Sequence, residues 1–184
     1  MRVISGTCKG TKLKTLPDLS IRPTTDRVKE SVFNIIQNHF PCRTVLDLFC
    51  GSGALGIEAM SRGAGGAYFV DSSPKSLSVL KENLTKTHLN TRAKIVESDY
   101  LTFLSKHLEH IKFDIVFADP PYKMDVLRKI LAFFVNSGII NNNGIFVYEC
   151  SADYEPVMSD ACELIKNVKY GQTRILIYQF GGTA

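Results

Sequence analysis

From residue 44 onward, apolar runs of strand length alternate with segments whose apolar residues recur at helical spacing. β-branched and aromatic clustering predicts strands at 44–49, 67–71, 92–97, 113–118, 144–149, 163–169 and 173–180. Helices are expected between them at 54–62, 74–87, 99–109 and 124–136, with a further one near 154–161. Such alternation predicts an α/β fold, a doubly wound and mostly parallel seven-stranded sheet with helices on both faces. The short Gly171-Gln172 connection makes the last two strands an antiparallel hairpin. Ahead of the sheet, Arg2–Leu16 alternates loosely around Gly6 and Gly10, as a small β-hairpin would. Thr24, Thr25 or Asp26 can cap a helix carrying Val28, Val32, Ile35 and Ile36 on one face, and Pro41 ends it. We expect one domain over 1–184, with 1–22 packed on it as an extension.

Composition narrows the class of protein. Hydrophobic content of 45% and charged content of 22% fit a globular chain, and no apolar run approaches the roughly 20 residues of a membrane span. The opening residues lack the apolar core of a secretory signal. Cysteines at 8, 42, 50, 150 and 162 contain no C-x-x-C pair, which points to reduced thiols in a cytoplasmic protein. Four scattered histidines (39, 88, 107 and 110) suggest no metal site.

Charge adds a partner. Residues 1–30 carry seven Lys/Arg against three acids, whereas the remaining 154 residues hold 15 of each. The excess positive charge therefore sits on the extension, where Arg2, Lys9, Lys12 and Lys14 are candidates for contact with a nucleic-acid backbone. A solvated basic hairpin is the alternative.

Two stretches carry candidate chemistry. In Asp47-Leu-Phe-Cys-Gly51-Ser52-Gly53-Ala-Leu-Gly56, a G-x-G-x-x-G pattern lies between the first strand and a helix, where glycines allow a tight turn and close ligand approach. Asp47, inside the strand end, suits a cationic ligand such as S-adenosylmethionine, directly or through water. Asp71 ends the second strand about twenty residues beyond the glycines, a position for ribose hydroxyls, although it could instead cap the next helix. Asp99, beside Tyr100, could accept from an adenine amine or cap the helix that follows. Cys50 reads as a small residue packed under the loop, and Glu58 as a structural member of its helix.

The other stretch is Asp119-Pro120-Pro121-Tyr122, at the end of the strand Phe113–Ala118. Prolines stop the ladder and stiffen the backbone. The Asp119 carboxylate and Pro120 carbonyl could accept both hydrogens of an exocyclic amine, draw its nitrogen toward tetrahedral geometry and stabilise the charge that develops on methylation. Tyr122 would stack on the base.

These pieces together resemble the RsmD family of small-subunit (16S) ribosomal RNA guanine-N2 methyltransferases. The resemblance is carried by the Arg-Val-Ile-Ser-Gly opening, Arg22-Pro-Thr-Thr-Asp-Arg27-Val-Lys-Glu, Asp47 to Ala59, Asp119-Pro-Pro-Tyr122 and Val147-Tyr-Glu149. It implies a Rossmann-like methyltransferase fold, S-adenosylmethionine as cofactor and ribosomal RNA, in an assembled or assembling small subunit, as partner of a cytoplasmic monomer. It further implies that Gly51, Ser52, Gly53 and Asp71 line the cofactor cleft with Asp99 nearby, and that Asp119 to Tyr122 engage the guanine amine. Arg22, Thr24, Thr25 and Arg27 would sit over the cleft, closing on the cofactor or guiding the RNA. The alternatives are an adenine-N6 methyltransferase acting on DNA or RNA, whose amine the same clamp would fit, and a non-catalytic RNA-binding assembly factor.

Overall fold

The computed structural model describes residues 1–16, 26–106, 111–121 and 124–181. Seven strands form one sheet: β1 (Thr44–Leu48), β2 (Gly66–Asp71), β3 (Ala93–Glu97), β4 (Phe113–Ala118), β5 (Ile140–Ser151), β6 (Cys162–Tyr170) and β7 (Thr173–Phe180). Among the described residues, five α-helices accompany it: α1 (Asp26–Ile35), α2 (Ala54–Ser61), α3 (Pro74–Thr87), α4 (Tyr100–Lys106) and α5 (Leu127–Ser137). The strand order is β3-β2-β1-β4-β5-β7-β6, with β1 to β5 parallel and β7 antiparallel to both its neighbours. Order reverses between β1 and β4, so their C-terminal ends frame the crevice in which such sheets bind ligands.

Period-two alternation along the strands divides the interior. Val45, Phe69, Ile115, Phe117 and Val147 pack under α1, α2 and α3, while Leu46, Val70, Val116, Phe146 and Tyr148 pack under α4 and α5. The first face takes Val32 and Phe33 of α1, Ile57 and Met60 of α2, and Leu77, Leu80 and Leu84 of α3. The second takes Phe103 of α4 and Ile130, Leu131 and Phe134 of α5. Each such side chain contributes about 1.5–3 kcal/mol by leaving water.

Residues 1–13 form a hairpin-like arm. Arg2 and Lys12 make an antiparallel bridge, Val3 N–H donates to the Thr11 carbonyl at 2.9 Å, and Leu13 N–H donates to the Met1 carbonyl at 3.0 Å. Buried groups dock the arm on α2. Glu58 is fully buried and accepts from the amides of Ile4 (2.8 Å) and Ser5 (3.0 Å). Its carboxylate also pairs with Lys29 at 3.2 Å and Arg62 at 2.8 Å. The buried Lys29 ammonium donates in turn to the Arg2 carbonyl at 2.6 Å. Gly6, at φ 82°, crosses so close that a Cβ would lie 1.8 Å from the Ser61 carbonyl oxygen.

Two expectations are corrected. Residues 154–161 form no helix: Tyr154 N–H closes a turn on Ser151, Ser159 bridges Cys162, and the Val157 carbonyl accepts from the buried Tyr178 hydroxyl at 2.9 Å. β5 runs on to Ser151, leaving a short span that tertiary bonds hold extended. α5 begins at Leu127 rather than 124, because Met124 N–H turns back onto the Pro121 carbonyl at 2.8 Å. Among the described residues, no helix is long and apolar enough to cross a membrane.

Candidate functional site

In the β1–β4 ladder the last paired residues are Leu48 and Ala118. Phe49–Gly53 and Asp119–Pro121 therefore leave adjacent strands side by side, at the sheet's topological switch. Both segments contribute to one cleft of about 560 Å³, lined by Asp47, Phe49, Cys50, Gly51, Ser52, Asp71, Asp99, Tyr100, Asp119 and Pro121 among others. A cleft of that size is adequate for a nucleoside-sized ligand.

The glycine turn is held by hydrogen bonds from three elements. Gly51 N–H donates to Asp71 Oδ2 at 2.9 Å, and Ser73 N–H donates to Asp71 Oδ1 at 2.8 Å, so one carboxylate ties the turn to the start of α3. Gly56 N–H, in the first turn of α2, donates to Asp47 Oδ2 at 2.9 Å. The carbonyl of Ser52 accepts from the Asn83 amide at 3.0 Å. Phe49 adopts φ 58°, uncommon for an aromatic residue, and its ring lies 5.2 Å from that of Tyr100.

Electrostatically, the first of these acids is unusual. Asp47 is 2% exposed, and burial pushes its carboxyl up to about 8, with the Asp71 charge adding and the Gly56 amide opposing. A cation in the cleft would favour its ionised form. Burial likewise drives the Cys50 thiol well above its usual range, helped by Asp47 and Asp71, so it is no thiolate nucleophile. Asp99 accepts from Thr102 N–H at 3.0 Å and caps α4, and those Thr102 bonds hold its carboxyl below the ordinary value. It caps the helix while lining the cleft, so both roles foreseen for it are open to one carboxylate.

Not every residue singled out from the sequence faces the cleft. Gly53, at φ 80°, lies outside the lining: it caps α2, and a Cβ there would meet Leu80 at 2.3 Å. Pro120 is buried behind the exposed Pro121. Arg27 is exposed on α1 and absent from the lining, whereas Lys29 two residues on belongs to it. Arg22, Thr24, Thr25 and Tyr122 lie outside the described residues. On the arm, Lys9 and Lys12 are exposed, Arg2 pairs with Asp26 at 3.5 Å, and Lys14 pairs with Glu82 at 2.8 Å. Exposed pairs of this kind are worth about 0–1 kcal/mol.

Other residues of the site escape a reading of motifs. Thr15 and Leu16 bring the arm into the wall of the cleft, and Lys75 and Ser98 stand at its rim. Asn83 is buried on the inner face of α3 between Leu80 and Leu84, and a carboxamide among leucines is the available signal.

The family model described as conserved hypothetical protein 95 matches residues 1–179. The chain is 38% identical over 184 residues to the "Putative rRNA methyltransferase YlbH" of Bacillus subtilis, covering 99% of this chain and 100% of that one. It is 31% identical over 180 residues to the ribosomal RNA small subunit methyltransferase D of Escherichia coli, covering 97% and 89%. Among solved structures, the "Putative methyltransferase yhhF" of Escherichia coli superposes with TM-score 0.86 at 31% identity, covering 100% of this chain and 99% of that one.

Proposed function

This chain belongs to the RsmD family of ribosomal RNA methyltransferases, and we propose that it methylates the exocyclic N2 amine of a guanine in 16S ribosomal RNA, using S-adenosylmethionine. The observation that carries this is the shared cleft: the Gly51-Ser52 turn and the Asp119-Pro121 edge emerge from neighbouring strands into one space. When bound, S-adenosylmethionine supplies a methyl group on a positively charged sulfur. Asp47 would balance that charge, Asp71 would keep lone pairs for the ribose hydroxyls, and the Phe49–Tyr100 pair would take the adenine face.

At the other side, Asp119 and the Pro120 carbonyl would accept the two amine hydrogens. This would free the nitrogen lone pair from the purine ring to take the methyl group, with S-adenosylhomocysteine as the leaving group and the amine proton passing through Asp119 to solvent. Preorganised acceptors aimed at a developing positive charge contribute about 2.7–4 kcal/mol. Tyr122 would stack on a guanine turned out of its helix. Phosphates would lie along Lys9 and Lys12, with Arg2 and Lys14 released from their carboxylates. The protein would act as a cytoplasmic monomer on RNA in an assembled or assembling small subunit.

The test is nucleoside mass spectrometry of small-subunit RNA from cells with and without the gene. Loss of one N2-methylguanosine is expected. An unchanged guanine profile, or loss of N6-methyladenosine instead, overturns the assignment.

A further inference from the structure

The Asn83 side chain makes three hydrogen bonds, and they join segments far apart in the chain. Its Oδ1 accepts from Lys14 N–H at 2.8 Å, and its Nδ2 donates to the Lys14 carbonyl at 2.9 Å, so the side chain pairs with the arm as a strand would. The second hydrogen of the same amide goes to the Ser52 carbonyl at 3.0 Å. The two residues after Lys14, Thr15 and Leu16, line the cleft, as does Ser52. A single side chain, 1% exposed, thus fixes two walls of the cleft relative to each other. Only a carboxamide can do this, because a carboxylate of the same shape would turn its second oxygen against two carbonyls.

We propose that Asn83 is a positioning residue for the methyl donor: it sets the separation between the arm and the glycine turn, and the cleft loses its shape for the donor without it. This rests on the S-adenosylmethionine reading of the cleft.

The test is calorimetric binding of S-adenosylhomocysteine, with a thermal melt of every variant. Asn83→Ala is expected to weaken binding by about tenfold or more, the scale of one or two lost hydrogen bonds. Thr87→Val is the control. Thr87 is also buried on α3, one turn on, but its hydroxyl donates only to backbone carbonyls of the same helix, those of Asn83 and Leu84, at 2.8 and 3.2 Å, and does not touch the Asn83 side chain's partners. It should melt earlier and bind as wild type does. Should Asn83→Ala fail to fold, Lys14→Pro removes the N–H that Asn83 Oδ1 accepts, together with the exposed Lys14–Glu82 pair, and is expected to weaken binding severalfold, whereas Glu82→Gln, which breaks that ion pair and keeps the N–H, should bind as wild type does. Binding by Asn83→Ala (or by Lys14→Pro, where it stands in) within about twofold of wild type overturns the proposal, as does an equal loss in Thr87→Val. A wild-type protein that binds no S-adenosylhomocysteine fails the donor reading itself, a distinct result that also ends the proposal.

Discussion

The two sides of the cleft are ordered by different means. The glycine turn owes its shape to side chains sent from elsewhere: Asp71 at the end of β2, Asp47 inside β1 and Asn83 on α3 each hold one of its backbone groups or the start of α2. The Asp119 edge is stiffened from within, by two proline rings and the Met124 turn onto Pro121. A surface held by borrowed side chains is sensitive to distant substitutions. One held by its own covalent rings tolerates them, and concentrates its vulnerability in the few groups that do chemistry.

The largest way to break this contrast lies on the glycine-turn side. Glu58→Ala leaves Lys29 buried without its carboxylate, and should cost about 3–5 kcal/mol of stability in urea unfolding. A loss below about 1 kcal/mol would mean that the ion cluster is not what seats the arm. Next is Asp119→Ala. We expect kcat to fall by on the order of 10²–10³, with S-adenosylhomocysteine affinity within about twofold of wild type. Lost affinity in that variant would merge the two sides into one.

Asp71→Ala should do the reverse, weakening S-adenosylhomocysteine about tenfold while kcat at saturating donor changes little. The last effect is a slope and not a single loss, and it is the most diagnostic of burial. Asp47 titrates near 8 in the folded chain and near 3.9 when unfolded, so between those values the folded state holds the extra proton. Stability therefore falls as pH rises through that window, by up to about 1.4 kcal/mol for each pH unit. Asp47→Asn should flatten this slope in urea midpoints taken at several pH values.

Most of the sheet was legible because strands buried on both faces read as continuous apolar runs, and Phe113–Ala118 could hardly be anything else. Both lips of the cleft were legible for a related reason: glycines and prolines interrupt such runs only where the backbone has unusual work. What escaped was tertiary. The segment 154–161 has no regular structure because the Tyr178 hydroxyl claims the Val157 carbonyl, a partnership invisible to local propensity. Glu58 was assigned to structure correctly in kind, but its partners in the arm lie more than fifty positions away. Asp99 caps α4, one of the two roles its sequence position suggests, whereas the bonds of Asp47 to Gly56 N–H and of Asp71 to Gly51 N–H have no local signal.

The paired ending of β1 and β4 has a further consequence. Neighbouring strands in any sheet lie about 4.8 Å apart, so the gauge between the two lips is a property of the ladder and not of the side chains mounted on it. Rewriting the few residues after Ala118 would then change which groups face the glycine turn and leave their spacing from it unchanged.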